Sequence, residues 1–275
     1  MKPQPFDYAQ PRSVDEAVAL LAGTDARILA GGQTLMAMLN LRLTAPKLLI
    51  DISRLPELRQ IREEAGQVVV GAAVTQAELL AWPRLHETLP FIAAALPWVG
   101  HFQTRNRGTV CGSIAHSDPS SELPLALALL GGTVTLRSAG GSRRLGAAEF
   151  QTGLLQTARR NDEMITEVRF PAAAPGTRVR FREVARRHGD FALLALGLVL
   201  PPDGPLRIGI SGMTDTAHVA TLPPGLAGDS LAEWVNAKAW ELHGGDDLHA
   251  SARYRRDLLR RLLPPLIEEA TTCAA

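Results

Sequence analysis

Cysteine is nearly absent from this chain of 275 residues: Cys111 and Cys273 are the only two. There is no CxxC pair, so the chain carries no thiolate frame of its own for an iron–sulfur cluster or a structural zinc site. The seven histidines contain no HxxxH pair. An excess of charge of either sign is also missing. The 29 basic and 28 acidic residues leave a net charge of +1, which argues against broad nucleic-acid binding and against a hold on an anionic membrane surface. The longest apolar run, "FALLALGLVL" at 191–200, is too short to span a bilayer. The opening "MKPQPFDYAQ" has no apolar signal core, and a reducing cytoplasm is the expected home. Hydrophobic residues nevertheless make up 46%, enough for a sizeable core in two domains or three small ones.

The chain reads as alternating strands and helices. "RSVDEAVALLA" opens with a capping box, Ser13 to Glu16, and puts Val14, Ala17, Val18 and Leu21 on one face. "ARILAGG" reads as a short buried strand ending in a glycine pair, "QTLMAMLNL" as a helix and "KLLIDIS" as a second strand. "GQVVVGAAV" is a strand and "TQAEL" a helix start with a box from Thr75 to Glu78. Residues 85–99 read as helical and "ELPLALALLGG" as a buried helix. "TVTLRSAGGSRRL" reads as a hairpin turning at Gly140-Gly141. "MITEVRFP", "RVRFREVARR" and "PLRIGISGM" read as strands. Helices are expected over 230–243, with a box from Ser230 to Glu233, and over 250–263. The Pro- and Ala-rich "PAAAPGT" at 171–177 marks a domain boundary.

Two stretches do not read as scaffold. "AGGQT", Ala30–Thr34, places glycines between a strand and a helix, where backbone N–H groups can approach an anion closely. "TRNRGTVCGSIAHSDPSSELP", 104–124, follows neither a period of 2 nor one of 3.6 and reads as a second anion-wrapping loop. Gly108 and Gly112 bracket Thr109 in it, and Ser113 adds a hydroxyl. Neither loop alone excludes a plain tight turn. His116 reads as a structural residue more readily than as a base. His116, Ser117 and Asp118 lie too close in sequence for a hydrolase triad, and GxSxG is absent. Two such loops point to one long ligand with a diphosphate, such as a dinucleotide.

"ILAGGQTLMAMLNLRL" and "TRNRGTVCGSIAHSDPSSELP" resemble the two signature loops of the FAD-binding medium subunits of molybdenum hydroxylases. That family includes the middle subunits of carbon monoxide dehydrogenase and of xanthine dehydrogenase-like enzymes. "FREVARRHGDFA", 181–192, resembles its third signature and "DDLHASARYRRDLL", 246–259, its C-terminal one. The resemblance implies an α+β chain with a vanillyl-alcohol-oxidase-like (PCMH-type) FAD-binding domain over 1–175, in subdomains of about 1–58 and 59–175. A C-terminal domain with a small antiparallel sheet and helices would follow over 176–275. It implies FAD contacts from Ala30, Gly31, Gly32, Gln33, Thr34 and Leu35 on one side, and from Thr109, Val110, Cys111, Gly112 and Ser113 on the other. Glu122, Ile165 and Arg182 fall at further flavin contacts, and Phe191 falls where some relatives place an aromatic residue beside the isoalloxazine. The other reading of Phe191 is the first residue of a buried strand. Cys111 stands where the family more commonly has glycine, so a small buried filler is the simpler reading than a redox role.

The resemblance further implies an electron-transfer subunit with noncovalent FAD. A large partner subunit would carry the molybdenum cofactor and hydroxylate the substrate, and a small partner would carry 2Fe–2S clusters, in a heterotrimer or its dimer. Electrons would leave through FAD to NAD+, a quinone or another acceptor. The lack of cluster cysteines agrees with this division. The alternative is a self-sufficient flavin oxidase or reductase of the same fold, with His116 or His188 as base. No metal is expected in this chain and no catalytic residue is assigned.

Overall fold

The computed structural model describes residues 1–23 and 25–272. Its first unit runs β1 (Asp7–Ala9), α1 (Val14–Ala22), β2 (Ala26–Leu29), α2 (Leu35–Asn40) and β3 (Leu48–Asp51). The strands form a parallel sheet in the order β1-β3-β2. Ser13 caps α1, its Oγ accepting from the Glu16 N–H at 3.1 Å. The Glu16 carboxylate reaches past Ser13 to the Arg12 N–H at 2.7 Å, so the expected box closes one residue early. Val14, Ala17, Val18 and Leu21 are buried on one face, as the spacing predicts.

The second unit comprises β4 (Ile61–Glu64), β5 (Gln67–Gly71), α3 (Gln76–Leu80), α4 (Leu85–Thr88), α5 (Pro90–Ala95), α6 (Phe102–Arg107), α7 (Val110–His116) and α8 (Glu122–Leu130). It continues through β6 (Thr133–Ser138), β7 (Gly141–Gly146), α9 (Ala147–Phe150), β8 (Gln151–Gly153), β9 (Gln156–Thr157) and β10 (Met164–Pro171). An antiparallel sheet takes the order β4-β5-β10-β6-β7, and β8 and β9 pair separately. The Thr75–Glu78 box is complete, with both reciprocal bonds made, at 3.1 and 2.8 Å. The helix expected over 85–99 is broken into α4, α5 and a 3-10 turn at Leu96–Trp98. Pro90 and Pro97 cannot donate to a preceding turn, so each sits at the start of a new piece. The stretch 104–124, expected to be a loop, instead supplies most of α6, all of α7 and the first turn of α8. Thr109 is the N-cap that starts α7.

The third unit is an antiparallel sheet of β11 (Arg178–Val184), β12 (Leu194–Leu200), β13 (Arg207–Ser211) and β14 (His218–Thr221), backed by α10 (Gly228–Glu241) and α11 (Ala252–Thr272). Ser230 sits inside α10, and its hydroxyl accepts from the Ala227 N–H at 3.2 Å. The helix therefore starts before the expected Ser230–Glu233 box. Helix α11 passes through Pro264 and Pro265, where the sequence predicts a stop, because Leu263, Leu266, Ile267 and Ala270 carry one buried face onward. Burying two large aliphatic side chains, about 1.5–3 kcal/mol each, offsets much of the cost of two interior prolines at about 3 kcal/mol each.

The larger core gathers side chains of the first two units, and a second core lies between the last sheet and α10–α11. Helix α8 packs between β10 on one side and β12–β13 on the other, which explains why it is apolar nearly all round. Arg255, on α11, is a brace across the third unit. Although 4% exposed, it donates to the carbonyls of Leu193 and Gly212 at 2.6 and 2.7 Å and to the Asp247 carboxylate at 2.5 Å. Among the described residues no helix is long and apolar enough to cross a membrane.

Phe91, fully buried, joins α5 to the last sheet through an edge contact with Phe181 at 5.9 Å. Phe91→Ala should cost about 3–5 kcal/mol, measured as a drop in unfolding free energy in guanidinium. A loss below about 1 kcal/mol would mean that the two units do not depend on this ring.

Candidate functional site

The β2–α2 turn and the α6–α7 turn face each other across the edge of a cavity. Gly32 has φ of +71°, a conformation in which a side chain is strained. Gly31 is more restricted still, because a Cβ there would lie 2.1 Å from the Arg107 carbonyl oxygen and 2.8 Å from the Gly108 Cα. The two turns therefore meet backbone to backbone. The opposite turn is pinned from behind: the Gln76 N–H donates to the Gly108 carbonyl at 2.8 Å and the Val110 N–H to the Val74 carbonyl at 3.1 Å. Thr109 spends its hydroxyl on the Gly112 N–H at 2.9 Å. The N–H groups of Gly31, Gly32 and Gln33 find no acceptor among the described residues. A glycine turn with free donors facing a cavity is a cradle for an anion.

The cavity holds about 690 Å³ and collects distant parts of the chain. Ala30, Gly31, Gly32, Gln33, Thr34, Leu35, Thr109, Cys111, Gly112, Ser113, Glu122, Ile165 and Phe191 all line it. Two expected residues do not. Val110 is completely buried, since the first turn of α7 directs it into the core. Arg182 lies on β11, where its guanidinium pairs with Glu269 of α11 at 3.2 Å. Phe191 is 64% exposed and precedes β12, which starts only at Leu194. Its reading as a core residue therefore fails, and its ring stands at the cavity edge.

Other lining residues were not singled out by sequence. Arg27 and Arg159 both line the cavity, close enough for their charges to repel. Arg159 donates to the carbonyls of Arg160 and Glu163, both at 2.8 Å, and burial, followed by the charge of Arg27, makes its proton easier to lose than usual. The one signal in the sequence is a cation interrupting the apolar run "ARIL". Gln76, Arg186, Arg187 and His249 are further polar residues of the wall. His116 lines the wall with its pKa lowered by burial, partly offset by Asp118. His188 instead packs edge-on against Trp98 at 5.3 Å. Among the described residues no cluster of His, Cys, Asp or Glu could hold a metal ion.

The arrangement favours an elongated anionic ligand. Unpaired donors and two guanidiniums supply positive potential, while Leu35, Met38 and Ile165 supply apolar surface. The volume falls in the range of small-molecule and cofactor pockets.

Residues 4–173 match the family described as the FAD binding domain in molybdopterin dehydrogenase. The chain is 34% identical over 283 residues to the 6-hydroxypseudooxynicotine dehydrogenase complex subunit alpha of Paenarthrobacter nicotinovorans, with 98% of this chain and 96% of that protein covered. Its fold is similar to that of carbon monoxide dehydrogenase from Hydrogenophaga pseudoflava lacking the Mo-pyranopterin moiety, with a TM-score of 0.93, 33% identity and 100% of both chains covered. Quinoline 2-oxidoreductase from Pseudomonas putida 86 gives a TM-score of 0.91 at 32% identity, with 98% of both chains covered. The shared architecture is the α+β, PCMH-type one that the resemblance implies.

Cys111 is 2% exposed, its thiol points to the Val70 carbonyl at 3.6 Å, and burial pushes its pKa up. The thiolate is what reacts with disulfide reagents. Cys111 should therefore resist labelling at about pH 8 in the folded chain and label fully once guanidinium unfolds it, as located by peptide mapping. Labelling of the folded chain at Cys111 would restore a redox role for it.

Proposed function

The chain belongs to the family of FAD-binding medium subunits of molybdenum hydroxylases, and from that membership we propose that it is the electron-transfer subunit of such a complex. In this reading one FAD sits noncovalently in the cavity between the Gly31–Gly32 turn and the start of α7. Electrons arrive from 2Fe–2S clusters of a small partner subunit and leave to NAD+, a quinone or another acceptor. Hydroxylation of the organic substrate belongs to a large partner subunit with the molybdenum cofactor. The assembly is a heterotrimer or its dimer, and residues 1–175 and 176–275 act as the FAD-binding and C-terminal domains.

The observation that carries the reading is the backbone approach at Gly31. It leaves a side-chain-free cradle with unpartnered N–H groups, which suits a diphosphate. Bound FAD supplies the redox chemistry, and the chain supplies binding, orientation and exclusion of water. Gly31, Gly32 and Gln33 would donate to one side of the diphosphate. Ser113 would add a hydroxyl donor on the α7 side, while Thr109 holds the turn by capping α7. Arg27 and Arg159 would balance negative charge, and Ile165 would offer an apolar contact. The exposed ring of Phe191 would cover a flat heteroaromatic surface at the mouth. The compounds for which these relatives are named, 6-hydroxypseudooxynicotine, carbon monoxide and quinoline, have little in common, which supports a substrate pocket in another polypeptide.

Gly31→Ala forces the turns apart, since its Cβ has nowhere to go. It should lower FAD affinity by about tenfold or more, read by flavin fluorescence, with little change in circular dichroism. A folded Gly31→Ala chain with undiminished affinity would remove the diphosphate assignment. The chain expressed alone should bind one FAD, release it on acid precipitation, and pass electrons from reduced nicotinamide to a dye without hydroxylating any organic substrate. Hydroxylation by the pure chain would sink the subunit reading in favour of a self-contained flavoenzyme.

A further inference from the structure

Two glutamates meet at the start of α8 without a cation between them. Glu122 occupies the first turn of α8 and lines the cavity. Glu183 comes from β11, behind the wall, and both are 7% exposed. Neither carboxyl oxygen of Glu183 has a hydrogen-bond donor within the described residues. Its hydrogen-bonding neighbour is the Glu122 carboxyl, and two carboxylate oxygens bond only if a proton lies between them. The residues paired across the sheet are Ala195 on β12 and, beyond it, Ser211 on β13, and neither is charged. Ser211 spends its hydroxyl on the Pro119 carbonyl. Arg255, from α11, is committed to Leu193, Gly212 and Asp247. The other nearby charge acting on Glu122 is Asp118, of the same sign. His116, at the end of α7, acts on neither carboxyl.

We infer that Glu183 is a positioning residue that holds a proton and donates it to the Glu122 carboxylate, so that the cavity wall carries one negative charge where the sequence supplies two, and that the cofactor binds most tightly while this proton is in place. The inference rests on the FAD reading above for its ligand, but the shared proton rests on the pair alone. Burial comes first among the causes that push both carboxyls up, and each is raised further by a neighbouring acid. Glu122 alone also receives a backbone N–H, its own. It is therefore the better seat for the charge, and Glu183 for the proton. Two like charges in such a site cannot both ionise cheaply. The pair titrates as one unit.

The direction of the pH dependence follows from the ligand's charge. A diphosphate entering the cavity disfavours loss of the shared proton, so the loaded chain binds that proton more tightly than the empty one. Affinity is then full while the empty chain is protonated and falls as pH rises and that proton is lost. The side-chain amide of Gln at position 183 donates to Glu122 in the same way but does not titrate.

The experiment uses the full chain stripped of flavin, wild type and Glu183→Gln, with two readouts. The first is the infrared C=O stretch of a protonated carboxyl at neutral pH, expected in wild type and absent from Glu183→Gln. The second is the FAD dissociation constant by fluorescence quenching. From about pH 6.5 to about pH 9 it should rise about tenfold in wild type and less than about twofold in Glu183→Gln. A wild type without the band, or a variant whose affinity follows the wild-type pH curve, overturns the inference. If wild type shows the band yet binds no FAD even at the acidic end, the FAD reading fails and the shared proton stands. Should Glu183→Gln not fold by circular dichroism, Glu122→Gln removes the carboxylate acceptor of the Glu183 proton, so the band must shift in frequency or vanish, and an unshifted band there overturns the shared proton.

Discussion

At Gly31 two turns from different parts of the chain touch through backbone atoms alone, and the cavity takes its shape from that contact. A methyl group there would overlap the Arg107 carbonyl. One partner in the contact ends β2 of the parallel sheet. The other is tied to the strand–helix connection before α3 through Gln76 and Val74. The touching surface is thus held by two separate sheets, and the N–H groups of Gly31, Gly32 and Gln33 beside it have no acceptor among the described residues. Leaving donors unpaired costs stability in an empty protein, and this cost is recovered when an anion arrives. The constraint therefore links the packing of the first two units directly to ligand affinity.

The cavity carries charge of both signs. Arg27 and Arg159 line it as cations, and Glu122 lines it at the start of α8 with Glu183 behind it. Arg159 is held by carbonyls of its own loop, so its guanidinium is oriented before any ligand is present. The acidic pair has no such neutralising partner, and a shared proton takes the place of one. Fixed cations and a mobile proton are two different ways of matching an anionic cofactor, and only the second makes the match depend on pH.

Much of the scaffold was legible because burial follows periodicity. Val14, Ala17, Val18 and Leu21 formed the expected face, the Thr75–Glu78 box closed, and the expected hairpin paired β6 with β7, turning at Ala139-Gly140, one residue before the expected Gly140-Gly141. The failures have physical causes. Prolines cut 85–99 into pieces yet did not stop α11, because in α11 a buried face continued past them. The 104–124 stretch hid two short helices, since Gly108, Gly112 and mixed polar residues obscure any periodicity. Thr109 as an N-cap was the available clue. In the candidate site, glycine turns were readable because their geometry is local. Arg27, Arg159 and Glu183 were not, because each gains its meaning only from a neighbour distant in sequence. Arg182 was drawn from a resemblance of motifs, and a salt bridge to Glu269 takes it elsewhere.

The Arg255 brace alters how lesions in this chain should be interpreted. Past residue 228, only His249 reaches the cavity wall among the described residues. Yet Arg255 grips the carbonyl of Leu193, two residues from Phe191, and in the same stroke the loop that carries His249, through Asp247. The last helix is therefore a remote tensioner of the rim. Damage to its seating would surface as poor flavin retention, and a genetic screen for cofactor loss would return hits in a helix that never touches the cofactor.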